Sequence, residues 1–316
     1  MKVRLLASLL CSLVCVAPVL TRAANEKIAV VPKGTTHSFW KTVEAGARQA
    51  GAELGVEVIW KGPLKEDDRA QQIGVVQQFV GSGVNAIVLA PLDDTALKTP
   101  VKAAMDRNIP VVIFDSALKG EAPKDFISFV ATDNHLGGKL AGEELARLLG
   151  GKGKVVLLRY SEGSASTAAR EAGFLEVMKA HPGIQVIVDN RYAGATIASA
   201  QDAAMNLIDK IREADGLFAP NESSTQGLLL ALRQTGLAGK KTFVGFDATP
   251  FLMAALNKGD LKALVAQNPK KMGYLGVKTA VQHLRGEKVP AVVDTGCVLV
   301  TTTTLNTPEV RAVVGN

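Results

Sequence analysis

The run His37-Ser38-Phe39-Trp40 follows the first apolar stretch beyond the N-terminal segment, Ile28 to Val31. Flat aromatic rings can lie against the C–H faces of a sugar, and planar hydrogen-bonding groups can meet its hydroxyls; a pocket that offers both on an apolar frame binds such molecules. Two later apolar runs end in aspartate: Val111-Val112-Ile113-Phe114 in Asp115, and Phe243-Val244-Gly245-Phe246 in Asp247. An ionised carboxylate is purely an acceptor and can take two hydroxyl protons. Arg170 and Asn221 add donors. Taken singly, these residue types also serve as helix caps and turn residues, and Phe39 also fits the buried face of a helix. As a set they point to binding of a hydroxylated small molecule.

Signatures of catalysis are missing. No GxGxxG follows an apolar run, and Gly150-Gly151-Lys152-Gly153-Lys154 has neither the spacing of a phosphate loop nor a Ser or Thr after its lysines, so it reads as a turn ahead of a strand. Gly163-Ser164-Ala165-Ser166 is no nucleophile elbow, because no glycine stands two residues after either serine. His37, His135, His181 and His283 have no metal-ligand spacing. No nucleophile pairs with a base, so no catalytic residue, metal or cofactor is expected, and the chain is not expected to be an enzyme.

The elements that must carry these residues are short apolar runs alternating with segments of helical period. Strands are predicted at Lys27–Val31, Val56–Trp60, Ala86–Ala90, Val111–Phe114, Ile127–Ala131, Val155–Arg159, Ile184–Val188, Gly216–Ala219 and Thr242–Phe246. Phe39, Val43, Ala47, Ala50 and Leu54 recur at helical spacing and predict a helix between the first two. Strands that are apolar throughout, separated by helices, imply parallel sheets covered on both faces, an α/β fold. The order also repeats. Ile28–Val31, then Ala86–Pro91 with Asp93 and Asp94, then Val111–Asp115 is echoed by Val155–Leu158, Gly216–Glu222 and Phe243–Asp247. In open parallel sheets ligands bind outside the carboxyl ends of the strands, so two such halves face to face would enclose a cleft.

The N-terminus predicts export. Lys2 and Arg4 precede an apolar run from Leu5 to Leu20, and Thr21-Arg22-Ala23 places small residues for cleavage after Ala23, so residues 1–23 read as a signal peptide. The apolar run is shorter than the ~20 residues of a membrane span. A lipoprotein leader would use Cys11 or Cys15, but Leu10 and Val14 stand where a small residue is wanted. Only Cys297 would remain after cleavage, so no disulfide framework is expected. The formal charge is +6, of which Lys2, Arg4 and Arg22 lie in the leader. The mild remainder is scattered, and no nucleic-acid partner is expected.

Eight pieces in order, IAVVPKGTTHSFW, IVLAP, IPVVIFD, ATDNHLGGKLAGEEL, STAAREAGF, FAPNESSTQGLLLALR, VGFDATP and VAQNPKKMGYLGV, resemble the periplasmic ribose-binding protein group of solute-binding proteins. The resemblance covers the chain beyond the leader. It implies two Rossmann-like lobes, each a doubly wound parallel sheet, joined by a three-strand hinge with the ligand cleft between them. The lobes would comprise residues 24–132 plus 267–294 and 133–266 plus 295–316, with crossings near 131–133, 265–268 and 293–296. The implied function is capture of a monosaccharide or related polyol in the periplasm and delivery to the membrane subunits of an ABC transporter; a binding protein serving a chemoreceptor or sensor kinase is the alternative. A monomer is expected. The implied ligand-binding residues are His37, Phe39, Trp40, Asp115, Ser116, Arg170, Asn221, Asp247 and Gln267. The chain departs from the ribose binder at three places: Ser116 stands for an arginine, His37 for an asparagine, and small residues around Ala195 for a second stacking aromatic, with Tyr192 the nearest ring in sequence. These changes keep ribose from being carried over as the ligand.

Overall fold

The computed structural model describes residues 26–314. The predicted signal peptide, residues 1–23, lies outside them.

The chain opens with β1 (Lys27–Val31), α1 (Ser38–Leu54), β2 (Glu57–Trp60), α2 (Arg69–Ser82), β3 (Ala86–Leu89), α3 (Lys98–Met105), β4 (Val111–Phe114) and β5 (Ser128–Ala131). There follow α4 (Asn134–Leu148), β6 (Lys152–Arg159), α5 (Ala165–Ala180), β7 (Gly183–Tyr192), α6 (Ile197–Asn206), α7 (Ile208–Glu213), β8 (Gly216–Phe218), α8 (Glu222–Gln234), β9 (Thr242–Phe246), α9 (Pro250–Lys258) and β10 (Ala263–Gln267). The chain closes with α10 (Pro269–Leu284), β11 (Val292–Asp294), β12 (Cys297–Val300) and α11 (Pro308–Val314).

These strands form two six-stranded sheets, in the orders β11-β5-β4-β3-β1-β2 and β12-β10-β9-β8-β6-β7. The first is parallel throughout; the second is parallel except where β12 runs against β10. With β1 matched to β6, the two orders are the same, so the repeat read in the sequence is a repeat of topology. In each sheet the strand order reverses beside the first strand, which opens a crevice at the carboxyl ends.

The strands are apolar throughout because both of their faces are covered. Ile28, Val30, Val88, Val112 and Phe114 pack on one side of the first sheet with residues of α1 and α10, while Ala29, Val31, Ile87, Leu89, Val111 and Ile113 pack on the other with α2 and α3. The second sheet is buried likewise, by α4 and α5 on one face and by α6, α8 and α9 on the other. The predicted strands are present with ends shifted by a few residues. The three closing strands, β10, β11 and β12, lie outside the strands expected above: β11 and β12 are short and only partly buried, whereas β10 is as long as β1 and buried throughout.

The chain passes between the two sheets after β5, after β10 and between β11 and β12. A helix pair on the second sheet fixes the approach of one site residue. Glycines Gly138 on α4 and Gly173 on α5 let the two backbones touch: a Cβ on Gly138 would overlap the carbonyl oxygen of Arg170, and one on Gly173 that of His135. Among the described residues no helix is long and apolar enough to cross a membrane.

Candidate functional site

The carboxyl ends of the two sheets face one another across a cavity of about 330 Å³ of atom-free space, part of it continuous with solvent. Loops after β1, β2, β4, β6, β8 and β9, together with the end of β10 and the start of α5, line it. Of the residues singled out in the sequence, His37, Phe39, Trp40, Asp115, Arg170, Asn221, Asp247 and Gln267 all reach this cavity. Ser116 does not line it. Its side chain is buried behind, where Oγ accepts the Ser166 N–H at 3.2 Å. Tyr192 lies elsewhere and is exposed.

On the side of the first sheet the organising group is Glu66, in the loop before α2. Its Oε1 accepts from His37 Nδ1 at 2.7 Å and from the Trp40 indole N–H at 2.6 Å, and its Oε2 accepts from the Tyr160 hydroxyl at 2.7 Å. Trp40 is thereby held in the core, edge-on to Phe114 and to Phe39, while Phe39 is less buried. Lys33 reaches across the cleft: Nζ donates to Ser166 Oγ at 2.9 Å and to Ser164 Oγ at 3.2 Å, and lies 3.3 Å from Asp115 Oδ2.

The second sheet supplies a chain of carboxylates and helix starts. Asp247 Oδ1 accepts from Gln267 Nε2 at 2.8 Å, and Oδ2 accepts the N–H of Glu222 at 2.7 Å, in the first turn of α8. Asn221 caps that helix, its Oδ1 accepting the Ser224 N–H at 3.2 Å. Glu222 then crosses the cleft: Oε1 and Oε2 accept the N–H groups of Ser38 and Phe39 at 3.0 and 2.9 Å. These are free donors at the start of α1, whose N-cap His37 makes no side-chain cap, and a carboxylate there also meets the positive end of the helix dipole. Arg170 is buried, with Nε on Asn134 Oδ1 at 2.8 Å, Nη1 on the Pro220 carbonyl at 2.9 Å, and its guanidinium 4.0 Å from the centroid of the Phe246 ring.

Burial and pairing set the charges. Burial opposes a charge on His37, but the Glu66 carboxylate, its hydrogen bond, and the more distant Glu222 and Asp247 outweigh it and raise the imidazole pKa to about 9. Burial likewise pushes Glu66 up, and His37, Lys33 and the Tyr160 hydroxyl bring it well below the usual range, so the pair is ionic at neutral pH. For Asp247 burial wins over Arg170 and Gln267 and lifts the carboxyl to about 6. Asp115 is raised too, by burial, against Lys33 and Arg170.

Sequence reasoning missed Lys33, Glu66, Tyr160, Ser166, Thr167 and Glu222 as lining residues. Tyr160 follows Arg159 at the end of β6 and could have been found by the strand-end rule that marked Asp115. Glu222 directly follows Asn221. Glu66 carried no signal, since Lys65-Glu66-Asp67-Asp68 reads as a solvated charged loop. Among the described residues no group of three or more His, Cys, Asp or Glu side chains is placed to hold a metal ion.

A model of the periplasmic binding protein domain matches residues 28–288. The ribose import binding protein of Escherichia coli is 31% identical over 293 residues, which cover 92% of this chain and 96% of that protein. Among solved structures, the periplasmic component of an ABC-type sugar transport system from Hahella chejuensis is 38% identical, with a TM-score of 0.84 over 87% of this chain and 99% of its own. A carbohydrate transporter solute binding protein from Agrobacterium radiobacter, in complex with D-arabinose, is 35% identical, with a TM-score of 0.87 over 92% of this chain and 99% of its own.

Proposed function

The chain belongs to the periplasmic binding protein family, and from that premise we propose that it is a solute-binding protein that captures a monosaccharide or related polyol and hands it to the membrane subunits of an ABC transporter. The observation that carries this reading is the cavity itself, walled by side chains from both sheets and combining the Phe39 ring with a circle of carboxylates and donors. The D-arabinose bound in the Agrobacterium relative and the sugar transport system of the Hahella relative support it. Two of the wall cations already have anionic partners, Lys33 with Asp115 and His37 with Glu66, and the third, Arg170, lies in the field of Asp247 and Asp115. A buried charge on the ligand would have to be matched again, so an uncharged, hydroxyl-rich ligand is favoured.

In this reading His37, Phe39, Asp115, Arg170, Asn221, Asp247 and Gln267 touch the ligand, Trp40 backs Phe39, and Ser116 acts from behind through Ser166. The sheets with their helices are two lobes, residues 24–132 with 267–294 and residues 133–266 with 295–316, and the three connections between them are the hinge. Ligand contacts on both lobes make the closed form bind better, and this difference in affinity drives closure. The activity is binding and release in the periplasm, with residues 1–23 serving as the export signal; family membership supports that location.

A thermal-shift screen of the purified protein against pentoses, hexoses, deoxysugars and polyols, with calorimetry on the hits, tests the function. A saturable shift with at least one neutral sugar or polyol is expected. Binding to none of them would overturn the reading.

A further inference from the structure

We propose that Glu66 is a positioning residue for ligand recognition: it binds Nδ1 of His37 with a carboxylate and so keeps Nε2 a hydrogen-bond donor at the cavity, to which the ligand must present an acceptor oxygen. The inference rests on the reading of the cavity as a sugar site and adds a requirement on the ligand.

The contact is built into the loops of the first sheet. Thr35 Oγ1 donates to the Pro63 carbonyl at 3.3 Å and Thr36 Oγ1 to that of Leu64 at 3.2 Å, which fastens the loop after β1 to the loop after β2 just ahead of His37 and Glu66. A Cβ on Gly34 would stand 2.9 Å from Glu66 Cγ, so the backbone of one loop lies against the side chain of the other. Both oxygens of Glu66 are engaged, Oε1 by His37 Nδ1 and the Trp40 indole, Oε2 by the Tyr160 hydroxyl. Nδ1 of His37 is thereby committed, and Nε2 has no hydrogen-bond partner among the described residues. No fully enclosed side-chain nitrogen or oxygen among them lacks one, so Nε2 keeps access to solvent, and His37 lines the cavity.

The protons on the ring decide what Nε2 can recognise. A neutral imidazole that donates from Nδ1 is an acceptor at Nε2, whereas the cation donates from both nitrogens. Burial opposes the charge, and the carboxylates facing the ring, Glu66 from the loop after β2, Glu222 from α8 and Asp247 after β9, outweigh it and raise the imidazole to about 9. Burial opposes the charge of Glu66 as well, and beside His37 itself Lys33, from the loop after β1, and the Tyr160 hydroxyl, after β6, sustain it. A sugar that covers Nε2 displaces water, and a charged donor buried without a partner is strongly unfavourable. The ligand atom at this place is therefore a hydroxyl, ring or carbonyl oxygen with a free lone pair; an alkyl or ammonium group there is rejected.

Two measurements test this on the wild-type protein, Glu66→Gln and His37→Gln. The first is nitrogen NMR of histidine-labelled protein; the chain has 4 histidines, and His37→Gln assigns the signal. At about pH 8 the His37 ring should carry protons on both nitrogens, and a bound sugar should shift its Nε2 resonance. The second is calorimetry with D-arabinose, D-ribose and D-allose, or failing these the best hit of the wider screen. Wild-type affinity should fall about five- to tenfold between about pH 7.5 and 10, the difference between a charge-assisted and a neutral hydrogen bond. In Glu66→Gln the His37 resonance and the affinity should change together at lower pH, and in His37→Gln the decline should vanish. A neutral His37 at pH 8 in the wild type would overturn the inference, and decides it even if Glu66→Gln does not fold. So would a bound sugar that leaves Nε2 unmoved, or a Glu66→Gln variant that weakens binding equally at every pH, the mark of a purely structural role. Binding to no compound of the screen would instead overturn the function on which the inference stands.

Discussion

Asp115 and Asp247 occupy the same place in the two sheets. Each follows the strand two positions from the first, β4 in one sheet and β9 in the other. Each adopts the left-handed backbone, with φ of 61° and 71°, and each donates its N–H to the neighbouring strand, to Val130 O at 3.0 Å and Val265 O at 2.8 Å. Aspartate is among the few non-glycine residues that tolerate this conformation. It ends the strand abruptly and leaves the carboxylate at the cleft, once from each side, with Arg170 in the field of both.

Asp247→Ala is expected to weaken sugar binding about a hundredfold or more, because a buried carboxylate that accepts ligand hydroxyls makes charge-assisted bonds. The helix that starts at Pro250 does not depend on it, since Thr249 caps α9. Some stability will go with the bonds to Glu222 and Gln267. Affinity and melting temperature measured together separate the effects: a less stable protein of unchanged affinity would remove Asp247 from the ligand site.

Binding should weaken as pH falls through about 6, where the Asp247 carboxyl titrates beneath Arg170, Gln267 and Glu222. Ligand hydroxyls favour the ionised form, so sugar uptake near that pH should release a proton. The sign is opposite for folding of the empty protein. A carboxyl raised from its ordinary value of 3.8 contributes stability that is full below that value and lost as pH rises through about 6. Calorimetry in buffers of different ionisation enthalpy reads the proton; its persistence in Asp247→Asn would assign it to another group.

The His37–Glu66 pair predicts a separate pH dependence. The imidazole is raised from 6.5 to about 9, so its contribution to stability is full below 6.5 and lost as pH rises through about 9. Glu66 is lowered, so its part is present above 4.5 and lost only in strong acid. Denaturant unfolding of the ligand-free protein should therefore show a decline between pH 6.5 and 9, on the order of 1–3 kcal/mol. In His37→Gln that decline should flatten. A slope of the same size in the variant would show that other groups produce it.

Glu222→Gln should impair closure more than folding. The carboxylate joins α8 to the first two N–H groups of α1 across the cleft, a capping interaction of about 1 kcal/mol that would be lost if the two sheets moved apart. In the wild type, small-angle scattering should show a smaller radius of gyration with ligand than without. In the variant the same contraction should need roughly five- to tenfold more ligand, by that energy. An unchanged radius at saturation in the wild type would count against hinge closure.

Gly138→Ala should be destabilising and should disturb ligand binding by pushing α4 off α5, because its Cβ would meet the Arg170 carbonyl rather than a side chain that can swing aside. Overpacking of this kind costs about 1–3 kcal/mol. Wild-type stability and affinity would show that the helix pair has more freedom than its geometry implies.

Local chemistry in the sequence determined much of this protein. Apolar runs such as Ala86–Leu89 and Val111–Phe114 have to be buried on both faces, so they announce parallel strands. Their repeated order foretold two sheets of one topology, and polar residues at the strand ends marked Asp115, Asn221 and Asp247. What the sequence left open were relations between distant segments. Glu66 looks like part of a solvated acidic loop, and it became the buried partner of His37, Trp40 and Tyr160 only because β2 and β6 bring their following loops to the same cleft. Glu222 caps α1 although 183 residues separate it from Phe39. Such pairings carry no local signature, because a carboxylate's charge state and partner depend on what surrounds it in space, and that is decided by the packing of the two sheets.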